Sequence, residues 1–414
     1  MSTNRYGWLV VGTTIANQGL SMGILLSGFA LFVVPWVDDF QVSRSQVLLG
    51  STLVLVANSL LSPLGGKLMD SLSLRTLVLL GAGCLSAGLV MVSFATSFWM
   101  ILLAYSTLLP ASLVLCGSLS SQTLVSKWFT EGRGLALGVS ALGSSAGGFI
   151  LPAVISALIA AYSWRQTLLI LAIVSLVALI PLNGLILRRD PPTADSASDG
   201  GEEQASGPVW TAGMVLKKPM FWIPVVGFIP LMASFTGVQF NLGAYMADLG
   251  NDQGLAAKLI ITVALGQVVG KLGAGSLSSR LDHRLIYWAM AIMMAGSLFL
   301  FSGGPSVSTL YVASAMMGTA TGAVLPMIPI VYSARFGTRS IGVVLGIVVL
   351  VMIVGSFGSL FAGLVYDSTQ SYDTAFLAFG ILLIPASLLV AFLPSPDKAQ
   401  KAWPEQAPGD KEDQ

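Results

Sequence analysis

Long apolar stretches recur along the whole chain and alternate with short polar connections. A bilayer core of about 30 Å takes roughly 20 helical residues, so each stretch is long enough to cross it once. The pattern predicts an all-α polytopic membrane protein with twelve transmembrane helices. The predicted spans are 8–34, 46–67, 76–95, 99–124, 134–160, 166–187, 220–247, 255–279, 284–303, 307–333, 341–366 and 373–394.

The longest polar break, Arg188–Lys218, divides the chain into two parts of similar length. Its composition is rich in serine and acidic residues, which is typical of a flexible linker. We therefore expect an N-terminal six-helix half at 1–187, a linker at 188–218 and a C-terminal six-helix half at 219–394. The remaining tail, 395–414, is rich in Pro, Lys and Glu and is expected to be disordered.

A weak internal repeat supports this division. In the connection after the second predicted helix, Arg75 follows Gly66 by nine residues, and after the eighth helix Arg284 follows Gly275 by the same spacing. The two copies lie 209 residues apart. This offset indicates two pseudo-symmetric halves, an arrangement in which transporters place a binding site between the halves.

The distribution of cationic residues predicts the orientation of the chain. Of the 20 Lys and Arg residues, Arg44, Arg165 and Lys258 fall in connections on one side, Lys271 falls inside a helix, and the other sixteen fall on the side of the termini. Cationic connections are retained in the cytoplasm. We therefore expect both termini and the central linker to be cytoplasmic.

Composition narrows the functional class. The chain is 55% hydrophobic and only 9% charged, which excludes an ordinary soluble fold. One histidine and two cysteines inside apolar helices provide neither a zinc site nor a disulfide framework. The segment Gly65-Gly66-Lys67 lacks the spacing of a nucleotide-binding loop. We expect no enzyme activity, cofactor, metal or nucleic-acid partner; the lipid bilayer is the expected surrounding.

The repeated connection resembles the signature of the major facilitator superfamily. The first copy reads Gly66-x-Leu68-x-Asp70-x4-Arg75, and the second has Ser279 in place of the carboxylate. The resemblance implies that the glycine permits close helix approach and that Asp70 and Arg75 can pair across helix ends. We therefore expect roles in conformational change for a set of residues at these connections: Gly66, Asp70, Arg75, Arg133, Arg280 and Arg284.

A narrower resemblance is to the monocarboxylate transporters and the related oxalate–formate antiporters. Four segments carry it: Phe32-Val33-Val34-Pro35, Asp39-Phe40-x-Val42-Ser43-Arg44, Lys127-Trp128-Phe129-x3-Arg133-Gly134-x-Ala136-x-Gly138 and Trp164-Arg165. All four segments belong to the first half. The resemblance implies transport of small organic acids.

Lys271 is the deepest charge in the predicted spans. It lies nine residues before Arg280, about 13 Å along a helix, which is far for its ammonium to reach the interface. A lysine at the centre of a membrane helix costs roughly 3 kcal/mol, so such residues usually face a cavity and have a partner. We expect Lys271 to contact an anionic substrate; the alternative is a side chain that extends to the cytoplasmic interface.

The family resemblance refines this expectation. Monocarboxylate transporters place a substrate-binding arginine in helix 8, four residues after an aspartate used in proton coupling. Here Lys271 matches the arginine and Gln267 the aspartate. The cation thus binds as a point charge, and the titratable carboxylate is absent. Proton transport on the acid itself, titration of Lys271, and uniport or exchange all remain open.

Several neutral polar residues inside the spans are further candidates. Helices 1, 4, 7 and 10 line the cavity in the superfamily, so the resemblance implies that Asn17, Gln122 and Asn241 could contact substrate. The alternative is interhelical hydrogen bonding, which is common in membranes. Tyr332 follows Pro326 and Pro329, which predict a break in helix 10, and could also reach the cavity.

Together these observations predict a secondary active transporter of a small organic monocarboxylate. The expected mechanism is alternating access across the cytoplasmic membrane, a bacterial inner membrane, with or without a cotransported proton. The region of the predicted helix 11 from Gly346 to Phe361 carries no charge, which disfavours dicarboxylates. The alternatives are a carrier of a neutral or amphipathic metabolite, such as a vitamin or a drug-like solute, and an anion exchanger.

Overall fold

A computed structural model describes residues 3–129, 133–188, 208, 210–278, 280–337, 339–401 and 403. These residues form helices and connections, with no strand among them. Twelve helices are long and apolar enough to cross a membrane, as the sequence predicts, and we number them span 1 to span 12. Their bounds are Arg5–Ser27, Arg44–Met69, Leu74–Ser93, Phe98–Trp128, Leu135–Ala161, Trp164–Ile186, Pro219–Gln239, Gln253–Leu277, His283–Phe301, Val307–Phe336, Ile341–Thr369 and Asp373–Val390.

Spans 2 and 6 begin with the same local device. Ser43 and Ser163 accept a hydrogen bond from the backbone amide three residues later, and the glutamine at that position returns one to the serine amide. Both are capping boxes, which satisfy amides that a helix start leaves without a partner. They fix the residue at which each helix begins.

Prolines divide two spans into shorter helices, and the predicted break in helix 10 is confirmed. Span 10 consists of Val307–Gly322 and Val324–Phe336, and the first of these helices ends at Gly322, four residues before Pro326. A proline ring clashes with the carbonyl of the residue four positions earlier, which explains this position. Span 4 breaks at Thr107, again shortly before a proline, and at Gly117.

Glycines bring several spans into backbone contact. A Cβ built on Gly147 of span 5 would lie 2.1 Å from the carbonyl oxygen of Gly19 in span 1. A Cβ on Gly358 of span 11 would lie 2.0 Å from the carbonyl oxygen of Ala233 in span 7. Gly23, which also contacts Gly147, precedes Ala233 by 210 positions, and Gly147 precedes Gly358 by 211. The crossing of spans 1 and 5 thus has a counterpart in spans 7 and 11, at close to the 209-residue spacing of the internal repeat.

The polar segments differ in part from the prediction of a flexible linker and a disordered tail. At the end of the linker, Trp210 is buried, its indole donates to the carbonyl of Phe336, and a short helix, Ala212–Leu216, follows. In the tail, Pro396–Lys401 forms a helix. Both ordered pieces contain apolar side chains beside the charged ones. Burial of these apolar side chains against span 10 explains why the two pieces are ordered. Residues 189–207, 209, 402 and 404–414 lie outside the described part.

The two ends of the interface between spans 1–6 and spans 7–12 differ. We call the side on which span 1 begins the terminal face and the other side the opposite face. At the opposite face the two groups of spans are in contact: a Cβ on Gly243 would lie 2.0 Å from the carbonyl oxygen of Ala30. Deeper in, the hydroxyls of Ser51 and Ser359 are 2.9 Å apart. Nearer the terminal face, Lys271 of span 8 donates a hydrogen bond to Ser145 of span 5 at 3.2 Å. The interface is therefore closed at the opposite face, whereas Cβ atoms built on Gly138 and Gly275, toward the terminal face, would meet no heavy atom within 4 Å.

Candidate functional site

Lys271 lies where the closed part of the interface ends. Its side chain is half-buried, and its ammonium nitrogen donates to the hydroxyl of Ser145 on span 5 at 3.2 Å. Within the described part of the chain, the salt bridges are formed by Arg44 and Arg165, so no described carboxylate pairs with Lys271. The site thus presents a cation that has only a neutral partner inside the membrane region.

Close packing covers Lys271 on the side of the opposite face. A Cβ on Gly148 of span 5 would lie 3.3 Å from the Cβ of Ala264 on span 8 and 3.2 Å from the hydroxyl oxygen of Ser27 on span 1. Ala264 precedes Lys271 by seven residues, about 10 Å along the helix. The ammonium group therefore lies on the terminal-face side of this contact.

Two of the predicted substrate ligands keep their amides accessible. Gln267 is half-buried one helical turn from Lys271, and its amide makes no hydrogen bond to another described residue. A Cβ on Gly322 would lie 2.2 Å from its backbone carbonyl oxygen, so the helix backbone there is fixed against span 10. Gln122 is exposed on span 4, nearer the terminal face. Both amides can still accept or donate hydrogen bonds to a ligand.

Asn17 lies in a closed pair instead. Its amide nitrogen donates to the amide oxygen of Asn183 on span 6 at 2.9 Å, and Asn183 donates back at 2.8 Å. Both side chains are buried. This arrangement corresponds to the interhelical hydrogen bonding that the sequence left as an alternative, and Asn17 is not brought next to Lys271 by a described contact.

Asn241 and Tyr332 also connect helices in this conformation. Asn241 donates to the carbonyl of Gly237 at 2.7 Å and accepts a hydrogen bond from Tyr372 at 3.0 Å. Tyr332 is fully buried, and its hydroxyl donates to the carbonyl of Phe221 at 2.7 Å. Their polar atoms are therefore occupied at two ends of the molecule, away from the ammonium of Lys271.

The close helix approach expected at Gly66 occurs one residue earlier. A Cβ on Gly66 would have no heavy atom within 4 Å, whereas a Cβ on Gly65 would lie 2.2 Å from a methyl of Val114 on span 4. One residue turns the helix by about 100°, which moves the contact to another face. Among the described residues Gly66 has no close neighbour, so the expectation of close packing there is wrong for this conformation.

The remaining residues expected to act in conformational change lie around the terminal face. Arg75 and Arg280 are exposed. Arg284 is half-buried and donates to the carbonyl of Leu393. The side chains of Asp70 and Arg133 lie outside the described residues, so their predicted pairing stays a prediction.

A polar cluster at the opposite face was not predicted from the sequence. The guanidinium of Arg44, at the start of span 2, donates to both carboxylate oxygens of Asp248, which follows span 7. It lies 3.8 Å from the ring centroid of Tyr366 and donates to the hydroxyl of Tyr372 at 3.1 Å. Burial raises the pKa of the Tyr372 hydroxyl, so it stays protonated and donates to Asn241.

A second carboxylate closes the same junction. Asp367 of span 11 accepts hydrogen bonds from the backbone amides of Arg44 at 3.2 Å and Ser45 at 3.1 Å. A residue from the last six spans thus caps the first turn of span 2, where the helix dipole favours an anion. We call Arg44, Asp248, Tyr366, Asp367 and Tyr372 the opposite-face latch. The sequence feature that could have indicated this latch is the position of its arginine and its two carboxylates near the ends of helices.

Comparisons with known proteins agree with this architecture. The family model described as Major Facilitator Superfamily matches residues 15–261 and 226–412. Among curated relatives, Monocarboxylate transporter 13 of Rattus norvegicus is 27% identical over 401 residues, covering 94% of this chain and 89% of the relative. Monocarboxylate transporter 12-B of Danio rerio is 29% identical over 419 residues, covering 93% and 86%.

Solved structures show the same fold at lower sequence identity. A bacterial homolog to the human lysosomal transporter Spinster, in an inward-facing and unoccupied conformation, superposes with a TM-score of 0.73 at 14% identity. The match covers 98% of this chain and 99% of that one. The inward-facing and occupied form of the same homolog gives a TM-score of 0.72 at 15% identity.

Proposed function

This chain belongs to the major facilitator superfamily, and we propose that it moves a small organic monocarboxylate across the membrane by alternating access. The observation that carries the proposal is Lys271, whose ammonium has only the hydroxyl of Ser145 as a described hydrogen-bond partner, at the interface between spans 1–6 and spans 7–12. A substrate carboxylate supplies the missing counter-charge. Similarity to proteins named monocarboxylate transporters supports the same substrate class.

The positions of the Lys271 ammonium and the Ser145 hydroxyl connect substrate binding to conformational change. Ser145 belongs to spans 1–6 and Lys271 to spans 7–12, so a ligand that contacts both interacts differently when the two groups of spans move apart. A ligand shifts a conformational equilibrium only through such a difference in affinity. Gln267, one turn from Lys271, provides a neutral amide for a second polar group of the substrate.

The charge of the site favours one carboxylate over two. The part of span 11 from Gly346 to Phe361 contains no charged residue, and its carboxylate, Asp367, is engaged at the opposite face. A dicarboxylate would therefore bring one uncompensated negative charge into the membrane region, where burial of an unpaired charge is costly.

We assign the terminal face to the cytoplasm, because sixteen of the 20 lysines and arginines fall at helix ends, in connections or in the tail on that side of the predicted spans. The contacts at the opposite face then close the interface on the side away from the cytoplasm. A neutral or amphipathic metabolite is the second candidate substrate, favoured by the accessible neutral amides of Gln122 and Gln267.

Uptake into proteoliposomes tests the proposal. Labelled lactate-, pyruvate- and formate-like acids are supplied with and without an imposed pH gradient, and with and without unlabelled acid inside. Acceleration by an inward proton gradient indicates cotransport, whereas acceleration only by internal acid indicates exchange. Lys271→Gln should reduce saturable uptake at least tenfold, and Lys271→Arg should retain more activity because it keeps the charge.

Lys258→Gln is the matched control, since Lys258 is an exposed lysine near the opposite-face end of the same helix and should be dispensable. Ser145→Ala removes one hydrogen bond, a contribution of about 0.5–1.5 kcal/mol, and should raise KM by roughly 2- to 10-fold. Wild-type acid uptake by Lys271→Gln would disprove the contact, and saturable uptake of a neutral solute instead would favour the second candidate.

A further inference from the structure

A buried cationic cluster lies at the terminal face, apart from Lys271. The side chain of Arg335, near the end of span 10, is fully buried. Its Nε donates to the carbonyl of Pro394 at 3.0 Å, and its Nη1 donates to the carbonyl of Val331 at 3.0 Å and lies 3.1 Å from Nδ1 of His283. The other terminal nitrogen, Nη2, is buried without a hydrogen-bond partner.

A second guanidinium reaches the same place. Arg284, at the start of span 9, donates to the carbonyl of Leu393, the residue before Pro394, and its Nε is also buried without a partner. Two arginines therefore end on consecutive carbonyls after span 12, and each has an N–H group with no acceptor. The side chains that donate hydrogen bonds to the carbonyls of Leu393 and Pro394 are therefore both positively charged.

No described carboxylate forms a salt bridge with this cluster, although the negative charge of Asp282 acts on Arg335 from a longer distance. The nearest acidic residue in sequence, Asp282, uses its carboxylate to accept from the backbone amide of Arg284 at 2.8 Å, as a helix cap. The salt bridges among the described residues lie at the opposite face. A buried guanidinium that lacks both a counter-ion and full hydrogen bonding is unfavourable, so an anion from outside the described chain would stabilise this arrangement.

We infer that Arg284 and Arg335 form a binding site for a phosphate group, presented by an anionic phospholipid headgroup or by free inorganic phosphate. Guanidinium groups match the several acceptor oxygens of a phosphate, and the two unpartnered N–H groups give them a donor each. The cluster lies at the ends of membrane spans, at the level of lipid headgroups, where basic pockets bind such groups.

The surroundings provide a route for the phosphate. Arg284 is half-buried rather than enclosed, so the cluster can be reached from the side of this residue. Exposed cations lie on the flanking segments, with Arg280 in the connection before span 9 and Lys398 and Lys401 on the short helix after span 12. They attract an anion toward the cluster without occupying it. The site joins the start of span 9, the end of span 10 and the tail.

The test uses the full chain in neutral detergent. Phosphatidylglycerol, phosphatidylcholine, sodium phosphate and sodium chloride are titrated separately, and the thermal midpoint and lipid retention by native mass spectrometry are recorded. Phosphatidylglycerol or phosphate should raise the midpoint more than phosphatidylcholine or chloride. Stabilisation by the lipid alone identifies a headgroup as the source, and stabilisation by both identifies any accessible phosphate.

Variants then assign the effect to the cluster. Arg284→Gln, which changes a half-buried residue, should weaken binding at least tenfold, and Arg335→Lys, which keeps the charge but loses the planar fork, should weaken it to a smaller extent. Arg188→Gln is the matched control, because Arg188 is an exposed arginine at the same face and should leave binding unchanged.

Three outcomes would overturn the inference. The first is equal stabilisation by all four additives, and the second is wild-type binding by Arg284→Gln. The third is binding of phosphate that appears only when residues 404–414 are removed, which would mean that a carboxylate of the tail fills the cluster. If the inference is right, a chain ending at Trp403 should bind as the full chain does.

Discussion

Removing the carboxylates of the opposite-face latch should open the protein at that face. Asp248 pairs with both terminal nitrogens of Arg44, and Asp367 caps the first two amides of span 2. Both carboxylates belong to the last six spans and both donors to the first six. The double variant Asp248→Asn/Asp367→Asn keeps the side-chain shapes and removes the two charges.

The size of the shift follows from the exposure of the latch. The side chains of Arg44 and Asp248 are 14% and 28% exposed, so their pair is intermediate between a surface ion pair of about 0–1 kcal/mol and a buried charge-assisted one of about 1.5–3 kcal/mol. With about 1 kcal/mol for the helix cap, we expect about 2 kcal/mol in total. That free energy changes the equilibrium constant between the closed and open conformations about 30-fold. A population of about 1% that is open at the opposite face would therefore become about one quarter.

Distances between spin labels can measure this shift. Thr96 and Val307 are exposed at the opposite face, one in the first six spans and one in the last six, and each can be replaced by a labelled cysteine. Native Cys84 and Cys116 are replaced first by serine or alanine. Pulsed dipolar spectroscopy in lipid nanodiscs should show a longer distance population in the double variant.

Asp39→Asn provides the matched control. Asp39 also pairs with an arginine at the opposite face, Arg165 at 2.9 Å, but both residues belong to the first six spans. Its loss should leave the distance distribution unchanged. An unchanged distribution in the double latch variant, or the same change in Asp39→Asn, would refute the assignment of the latch as a device that holds this face closed.

Three further predictions concern packing and polar contacts. Gly147→Val places a side chain within 2.1 Å of a backbone oxygen and should lower the thermal midpoint by several degrees, whereas Gly138→Val in the same helix, with no neighbour within 4 Å, should not. Cysteines at Ser51 and Ser359, whose hydroxyls are 2.9 Å apart, should cross-link under oxidation and block transport until reduced; free transport after full cross-linking would contradict alternating access. Asn17→Ala should cost about 0.6–1.7 kcal/mol of stability and leave KM unchanged, and a raised KM would return it to the substrate site.

The sequence was sufficient for the features that the bilayer imposes directly. Each span requires a long apolar segment whatever its neighbours are, so all twelve could be located from composition along the chain. The same argument singled out Lys271, because a charge deep in such a segment is costly before any fold is considered. Pro326 likewise predicted a break in span 10, since its effect on the helix is local.

Only the tertiary structure decided which polar groups meet. Asn17 and Asn183 are 166 residues apart, and Arg44 and Asp248 are 204 apart, so no local pattern could pair them. A span must be apolar overall, but its rotation and neighbours depend on side-chain packing, and a rotation of one residue moves a contact to another helix face. That is why Gly65 rather than Gly66 meets span 4. Hydrophobicity determines which segments cross the membrane, whereas the packing of spans against one another determines the partners of their few polar groups.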